Sequence, residues 1–101
     1  MFGLKDTHIN LIKSVFEKYN CITKAVLYGS RAKGNYRTGS DIDLTLFGND
    51  LDFNTLLKIE NELDDLLLPY KIDLSIYNKI ENHDLIEHIN RVGVVFYKSY
   101  N

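Results

Sequence analysis

Cysteine, proline and tryptophan are almost absent from this sequence of 101 residues, which contains one cysteine, one proline and no tryptophan. A secreted domain of this size would usually carry paired cysteines, so the lone Cys21 favours a cytoplasmic protein and is expected to pack as a small apolar side chain. No apolar run approaches the roughly 20 residues that span a bilayer, and the N-terminus lacks the basic and then apolar order of a signal peptide. We therefore expect neither membrane insertion nor secretion.

An excess of basic residues is also lacking. The chain has 12 Lys and Arg residues against 14 Asp and Glu residues, and its formal net charge is -2 at pH 7. This argues against a nonspecific binder of long nucleic acid, although a nucleotide needs only a few local positive groups. The length and the 45% hydrophobic content allow one modest core, so we expect a single domain over residues 1–101.

The spacing of apolar residues predicts three helices and four strands. The helical segments are residues 9–19, 53–67 and 85–89, and the strand segments are residues 22–28, 41–47, 71–77 and 94–97. Asp6 or Thr7, Asp52 and Asn82 are the expected N-caps, and Pro69 is expected to stop the second helix. The order α-β-β-α-β-α-β is typical of an α+β domain with a small mixed sheet and helices on one face.

Three aspartates fall on the polar side of the second and third predicted strands, namely Asp41, Asp43 and Asp73. If these strands are neighbours, the three carboxylates converge and raise one another's pKa. A divalent cation such as Mg2+ would relieve the repulsion, because it prefers hard oxygen ligands. The alternatives are an exposed acidic pair at a strand start, and for Asp73 an exposed residue paired with Lys71.

A glycine-rich basic segment precedes the first two aspartates. Gly29 lets the backbone approach a phosphate closely, and Ser30 offers a hydroxyl and an N–H group at the start of an expected helical turn, where anions are favoured. Arg31, Lys33 and Arg37 supply positive charge nearby, although exposed surface positions explain them equally well. The three histidines lack metal-ligand spacing, so no role is assigned to them.

The pair Gly29-Ser30, separated by ten residues from Asp41-Ile42-Asp43, resembles the signature of the DNA polymerase β-like nucleotidyltransferases. Asp73 in KIDLSIY is similar to the third acidic residue that this family carries on a later strand. The short chain looks like the minimal nucleotidyltransferase (MNT) branch. The segment matches neither a P-loop nor a Rossmann fingerprint, because GxxxxGK[ST] and GxGxxG are both absent.

The resemblance implies an enzyme that moves a nucleoside monophosphate, AMP from ATP, to an acceptor hydroxyl with the help of Mg2+, and two ions are expected. It implies that Asp41, Asp43 and Asp73 bind the metal and act in catalysis, with Asp73 also accepting the proton of the attacking hydroxyl. The residues expected to bind the nucleotide are Gly29, Ser30, Arg31, Lys33 and Ser40.

The resemblance also implies a separate, small, all-helical partner protein and therefore a hetero-oligomer, because the chain has little beyond its core to hold an acceptor. The partner is expected to be a HEPN-type toxin that is adenylylated on a tyrosine, which would make this chain the antitoxin. In another group of relatives the partner is a substrate-binding subunit, which would hold a small molecule. The remaining alternative is a module that binds a nucleotide or covers a toxin without chemistry, although all three carboxylates are retained.

Overall fold

The structure of the protein is a computed structural model that describes residues 1–100. In this range there are four α-helices: α1 (Asp6–Glu17), α2 (Ser30–Lys33), α3 (Phe53–Asp65) and α4 (His83–Val92). The four strands are β1 (Lys24–Tyr28), β2 (Ile42–Phe47), β3 (Ile72–Ile76) and β4 (Val94–Lys98), and a short 3-10 turn, Tyr77–Lys79, follows β3. No helix within residues 1–100 has the length and apolar character that crossing a membrane requires.

The strands form one mixed sheet in the order β3-β2-β1-β4. β1 pairs with β2 and with β4 in the antiparallel direction, whereas β2 and β3 are parallel, which requires the crossover through α3. The predicted α+β class and small mixed sheet are confirmed. The expected helical turn after the first strand is present as α2.

The main core lies between one face of the sheet and the helices α1 and α3. Alternate residues of β2, Ile42, Leu44 and Leu46, are fully buried there, as the period of two predicted. The buried residues of α3 are Leu56, Ile59 and Leu63. Three other apolar residues of the predicted helical segment 53–67 have exposed side chains: Phe53, Leu57 and Leu67.

Helix α4 packs against the opposite face of the sheet, which differs from the expected arrangement with helices on one face. Ile89 of α4 forms a second buried cluster with Val26 and Tyr28 of β1. Both faces of β1 are therefore apolar, and the strand is buried on each side. One end of this second face consists of the polar residues of β2 and β3.

Two of the three predicted N-caps are confirmed by side-chain hydrogen bonds. The Asp52 carboxylate accepts a backbone N–H of α3 at 2.7 Å, and the Asn82 amide oxygen accepts two N–H groups of α4 at 2.9 and 3.2 Å. The prediction of a cap at Asp6 or Thr7 is wrong, because α1 begins at Asp6 and the cap position is Lys5, without a side-chain bond. Asp6 instead places a negative charge in the first turn, where the helix dipole favours it.

Candidate active site

The turn after β1 brings the backbone of Gly29 directly against the side chain of Asp43. Gly29 has φ +75° and ψ -157°, a conformation that only glycine adopts readily. A Cβ atom at this position would collide with Oδ2 of Asp43. Glycine is therefore required here for its backbone conformation and for the space it leaves.

The two aspartates of the parallel strands lie side by side. Asp43 of β2 is the register partner of Asp73 of β3 and, on its other side, of Tyr28 of β1. Neighbouring strands are about 4.8 Å apart, and residues in register point to the same face of the sheet. The condition on which the convergence of the carboxylates was predicted, that these two strands are neighbours, is therefore met. Asp41, just before β2, is exposed, and Asp73 is exposed on the outer strand.

Charge is concentrated around Asp43. Burial raises the pKa of the Asp43 carboxyl above its usual value, and the negative charges of Asp73 and then of Asp41 raise this pKa further. A positive charge on His88 would act on the same pKa in the opposite direction. Ionised Asp43 is therefore held in an environment that disfavours its charge, and a bound cation would relieve this.

The three carboxylates form an open arrangement. Within residues 1–100, no three His, Cys, Asp or Glu side chains are grouped so that they could hold a metal ion by themselves. Mg2+ usually keeps several waters and is bound by one or two carboxylates together with substrate phosphates. The half-buried carboxylate of Asp43, with Asp73 beside it and Asp41 nearby, fits such a site because it supplies hard oxygen ligands and excess negative charge.

A row of hydroxyl groups lies behind the carboxylates, one residue pair further along the strands. Ser75 of β3 donates to Oγ1 of the fully buried Thr45 of β2 at 2.9 Å. Burial raises the pKa of the neighbouring Tyr28 phenol, whereas a hydrogen bond with Ser75 lowers it. In the described part of the chain, no buried side-chain nitrogen or oxygen lacks a hydrogen-bond partner. Thr45, Ser75 and Tyr28 therefore form a hydrogen-bonded group next to the carboxylates.

Arg31 does not reach the open face where the carboxylates lie. Its side chain is only 3% exposed, and its guanidinium donates from Nε and Nη2 to the Ser40 carbonyl at 3.1 and 2.8 Å and from Nη1 to the Phe2 carbonyl at 2.9 Å. The rings of Tyr36 and Tyr70 lie 5.3 and 5.2 Å from the guanidinium carbon. The structure therefore favours a packing role for Arg31 over the predicted contact with the nucleotide.

Ser40 closes the turn that leads into β2. Its hydroxyl accepts the Arg37 N–H at 2.8 Å, and its own N–H donates to the Arg37 carbonyl at 2.9 Å. Through its carbonyl, Ser40 also ties this turn to Arg31. The predicted nucleotide-binding residue Ser40 thus shapes the loop that delivers Asp41, while the side chains of Lys33 and Arg37 are exposed.

His88 of α4 belongs to the site, although no role was expected for it. The Gly29 N–H donates to His88 Nε2 at 3.2 Å, and the imidazole lies edge-on to the Tyr28 ring, with centroids 6.2 Å apart. Residues 29 and 88 are far apart in sequence, and no spacing pattern connects them. Only the packing of α4 against β1 brings them together.

Comparison with known proteins agrees with the motif and the fold. Residues 10–100 match the family described as Polymerase beta, Nucleotidyltransferase. A protein of Methanocaldococcus jannaschii, provisionally named a protein adenylyltransferase, is 30% identical over 96 residues; the match covers 88% of this chain and 90% of that protein.

Solved structures share the fold at lower identity. A chain of a toxin–antitoxin crystal structure with AMP-PNP matches with a TM-score of 0.73 and 20% identity, over 91% of this chain and 74% of the other. A chain from the complex of tri-AMPylated Shewanella oneidensis HEPN toxin with MNT antitoxin matches with a TM-score of 0.69 and 17% identity, over 95% and 74%.

The fold, the glycine turn and the paired aspartates define a nucleotidyltransferase. The chain belongs to the polymerase β nucleotidyltransferase family, which confirms the resemblance seen in its motif. Its fold is also that of the solved toxin–antitoxin structures, in agreement with the predicted likeness to MNT antitoxins.

Proposed function

We propose that this protein transfers AMP from ATP to a hydroxyl group of a partner protein, namely a tyrosine of a HEPN-type toxin, and so acts as the antitoxin. The observation that carries the proposal is the contact between the Gly29 backbone and the Asp43 carboxylate, with Asp73 in register beside it. This contact joins a turn suited to phosphate with carboxylates suited to a metal. The relative provisionally named a protein adenylyltransferase and the complex with AMPylated HEPN toxin support the choice of acceptor.

The nucleotide would lie along the turn after β1. Ser30 would contribute its hydroxyl and N–H to the triphosphate, directly after the glycine that allows the close approach. α2 is a single turn, so its dipole is small and anion binding would depend on these individual groups. The exposed Lys33 is available to add positive charge, whereas the buried Arg31 is already engaged by two carbonyls.

The carboxylates would hold the metal and handle the proton. Asp41, Asp43 and Asp73 would bind Mg2+, with two ions expected from the family resemblance. When bound, Mg2+ supplies charge neutralisation to the transferring phosphate and the leaving pyrophosphate. Asp73 would accept the proton of the attacking tyrosine hydroxyl. In the same step, the bond between the tyrosine oxygen and the α-phosphorus would form, and the bond between the α-phosphorus and the pyrophosphate oxygen would break. The exposed position of Asp73 on the outer strand leaves room for the acceptor.

Label transfer tests this proposal. The purified protein is incubated with Mg2+, α-phosphate-labelled ATP and a small helical HEPN-type protein from the same organism, and the label on this partner is measured. Asp43→Asn removes the central carboxylate, and Asp64→Asn is the matched control because Asp64 is an exposed aspartate on α3. We expect label on the partner with the wild type and with Asp64→Asn, and none with Asp43→Asn.

The acceptor is then identified by replacing each tyrosine of the partner with phenylalanine, and loss of label at one position is the expected result. A stable complex without label on the partner would contradict adenylyl transfer and favour an antitoxin that acts by covering its target. Label recovered on a small molecule, and not on the partner, would instead favour a catalytic subunit served by a substrate-binding partner.

A further inference from the structure

The Gly29 N–H lies just beyond the sheet and needs an acceptor outside it. β1 ends at Tyr28, so the strand ladder does not extend to Gly29. Gly29 is partly buried, and its N–H donates to His88 Nε2 at 3.2 Å. The Gly29 carbonyl accepts the Lys33 N–H at 3.1 Å. The residue is thus held on one side by α2 and on the other by α4.

His88 is itself fixed by the packing of α4. The next residue, Ile89, is buried against Val26 and Tyr28, and the Tyr77 hydroxyl donates to Oδ1 of Asn90 at 2.9 Å. The imidazole also meets the Tyr28 ring at an interplanar angle of 81°. Because a peptide N–H can only donate, Nε2 is the acceptor and the neutral ring carries its proton on Nδ1.

We infer that His88 is a positioning residue for nucleotidyl transfer, which holds the Gly29 peptide, and with it Ser30, at a fixed place against Asp43. This inference rests on the proposed function. Glycine has the widest conformational freedom of all residues, so the turn needs an external constraint to keep one conformation. Without the imidazole, the peptide can rotate and Ser30 moves relative to the carboxylates. A displacement of about 1 Å at a reacting centre can cost about 100-fold in rate.

Three variants separate positioning from packing. His88→Leu removes the acceptor with little change in volume, and His88→Gln restores an acceptor oxygen at a similar reach. His83→Leu is the matched control, because His83 is exposed on the same helix. The readouts are hydrogen exchange of the Gly29 amide, followed by 1H–15N NMR without nucleotide, and kcat for transfer of AMP.

In His88→Leu we expect faster exchange of the Gly29 amide and a kcat lower by about 10- to 100-fold. In His88→Gln we expect both values to return most of the way to the wild type, and His83→Leu should behave as wild type. Packing alone would not produce this rescue, because glutamine lacks the ring. An unchanged exchange rate of the Gly29 amide in His88→Leu, or an unchanged kcat in this variant, would overturn the inference. A His88→Gln variant in which the Gly29 amide exchanges slowly again but kcat does not recover would also overturn it.

Failure of the proposed function would be recognised separately, because the wild type would then transfer no AMP. In that case the affinity for AMP-PNP with Mg2+ decides the role of His88. Weaker binding in His88→Leu, with recovery in His88→Gln, would support a positioning role toward the nucleotide. Equal affinity of the wild type, His88→Leu and His88→Gln for AMP-PNP would overturn the inference.

Discussion

Replacement of Gly29 by alanine tests the contact that joins the two halves of the site. In the structure, the added methyl group must accept a backbone with φ +75° and must also displace Oδ2 of Asp43. Gly34, at the end of α2, provides the matched control. It also has a positive φ, +86°, but a Cβ atom there meets nothing within 4 Å.

The expected losses of stability follow from the backbone conformation at each glycine and from the collision that an added methyl group meets at Gly29. A residue held in a sparsely populated backbone region costs about 1–3 kcal/mol, and forcing an extra methyl group into a packed position costs a further 1–3 kcal/mol or so. We therefore expect Gly29→Ala to lower the free energy of unfolding by about 2–6 kcal/mol. Gly34→Ala has only the backbone cost, about 1–2 kcal/mol for the left-handed conformation. Each kcal/mol corresponds to a fall of roughly 4–8 °C in Tm for a domain of this size.

Urea denaturation followed by circular dichroism measures these values. The critical comparison is a double-mutant cycle, because Asp43→Ala removes the carboxylate with which the methyl group collides. In that background, Gly29→Ala should cost only about 1–3 kcal/mol. The cycle should therefore give a coupling of about 1 kcal/mol or more between residues 29 and 43. Additivity within about 0.5 kcal/mol, or equal costs for Gly29→Ala and Gly34→Ala, would refute the proposed contact.

Further predictions concern the charges around the turn. Burial, and then the charges of neighbouring carboxylates, raise the pKa of Asp43 in the folded protein. The folded state therefore binds the Asp43 proton more tightly than the unfolded state does. As a result, stability falls as the pH rises from about 4, the pKa in the unfolded state, through the pKa in the folded state. Asp43→Asn should remove this fall and melt at a higher temperature than the wild type near pH 7; a lower Tm there would contradict the assigned environment. Arg31→Lys cannot replace all three hydrogen bonds to Ser40 and Phe2, so it should lower the free energy of unfolding by about 2–3 kcal/mol in urea denaturation. Lys33→Ala on the exposed side of the same helix should change it by no more than about 0.5 kcal/mol, and equal effects of the two variants would contradict the burial of Arg31.

Local patterns were sufficient to predict the strands that carry the carboxylates. In β2, strict alternation identified Ile42, Leu44 and Leu46 as core residues and left Asp43 on the other face. The same period in β3 placed Asp73 on the corresponding face, and parallel pairing then brings the two side by side. The caps at Asp52 and Asn82 were predictable for a similar reason, because a cap acts within a single turn.

The remaining features depend on contacts that no local pattern encodes. An apolar stripe on α4 predicts a buried helix but not which face of the sheet it covers, since β1 is apolar on both faces through Leu27 and Val26. The burial of Arg31 depends on hydrogen bonds from its guanidinium to the Ser40 carbonyl of the same loop and to the Phe2 carbonyl of the N-terminal segment. The role of His88 follows from the placement of α4, so it could not be predicted before the helix was placed.

A titration with Mn2+ in the presence of AMP-PNP tests most directly the claim that the glycine turn and the three carboxylates form one site for nucleotide and metal. Paramagnetic broadening of 1H–15N signals locates the ion without requiring the acceptor. We predict that the amides of Gly29, Ser30, Asp43 and Asp73 broaden first, and that Asp43→Asn abolishes this effect. Early broadening at another surface, or broadening at these residues that persists in Asp43→Asn, would contradict the assignment of the site.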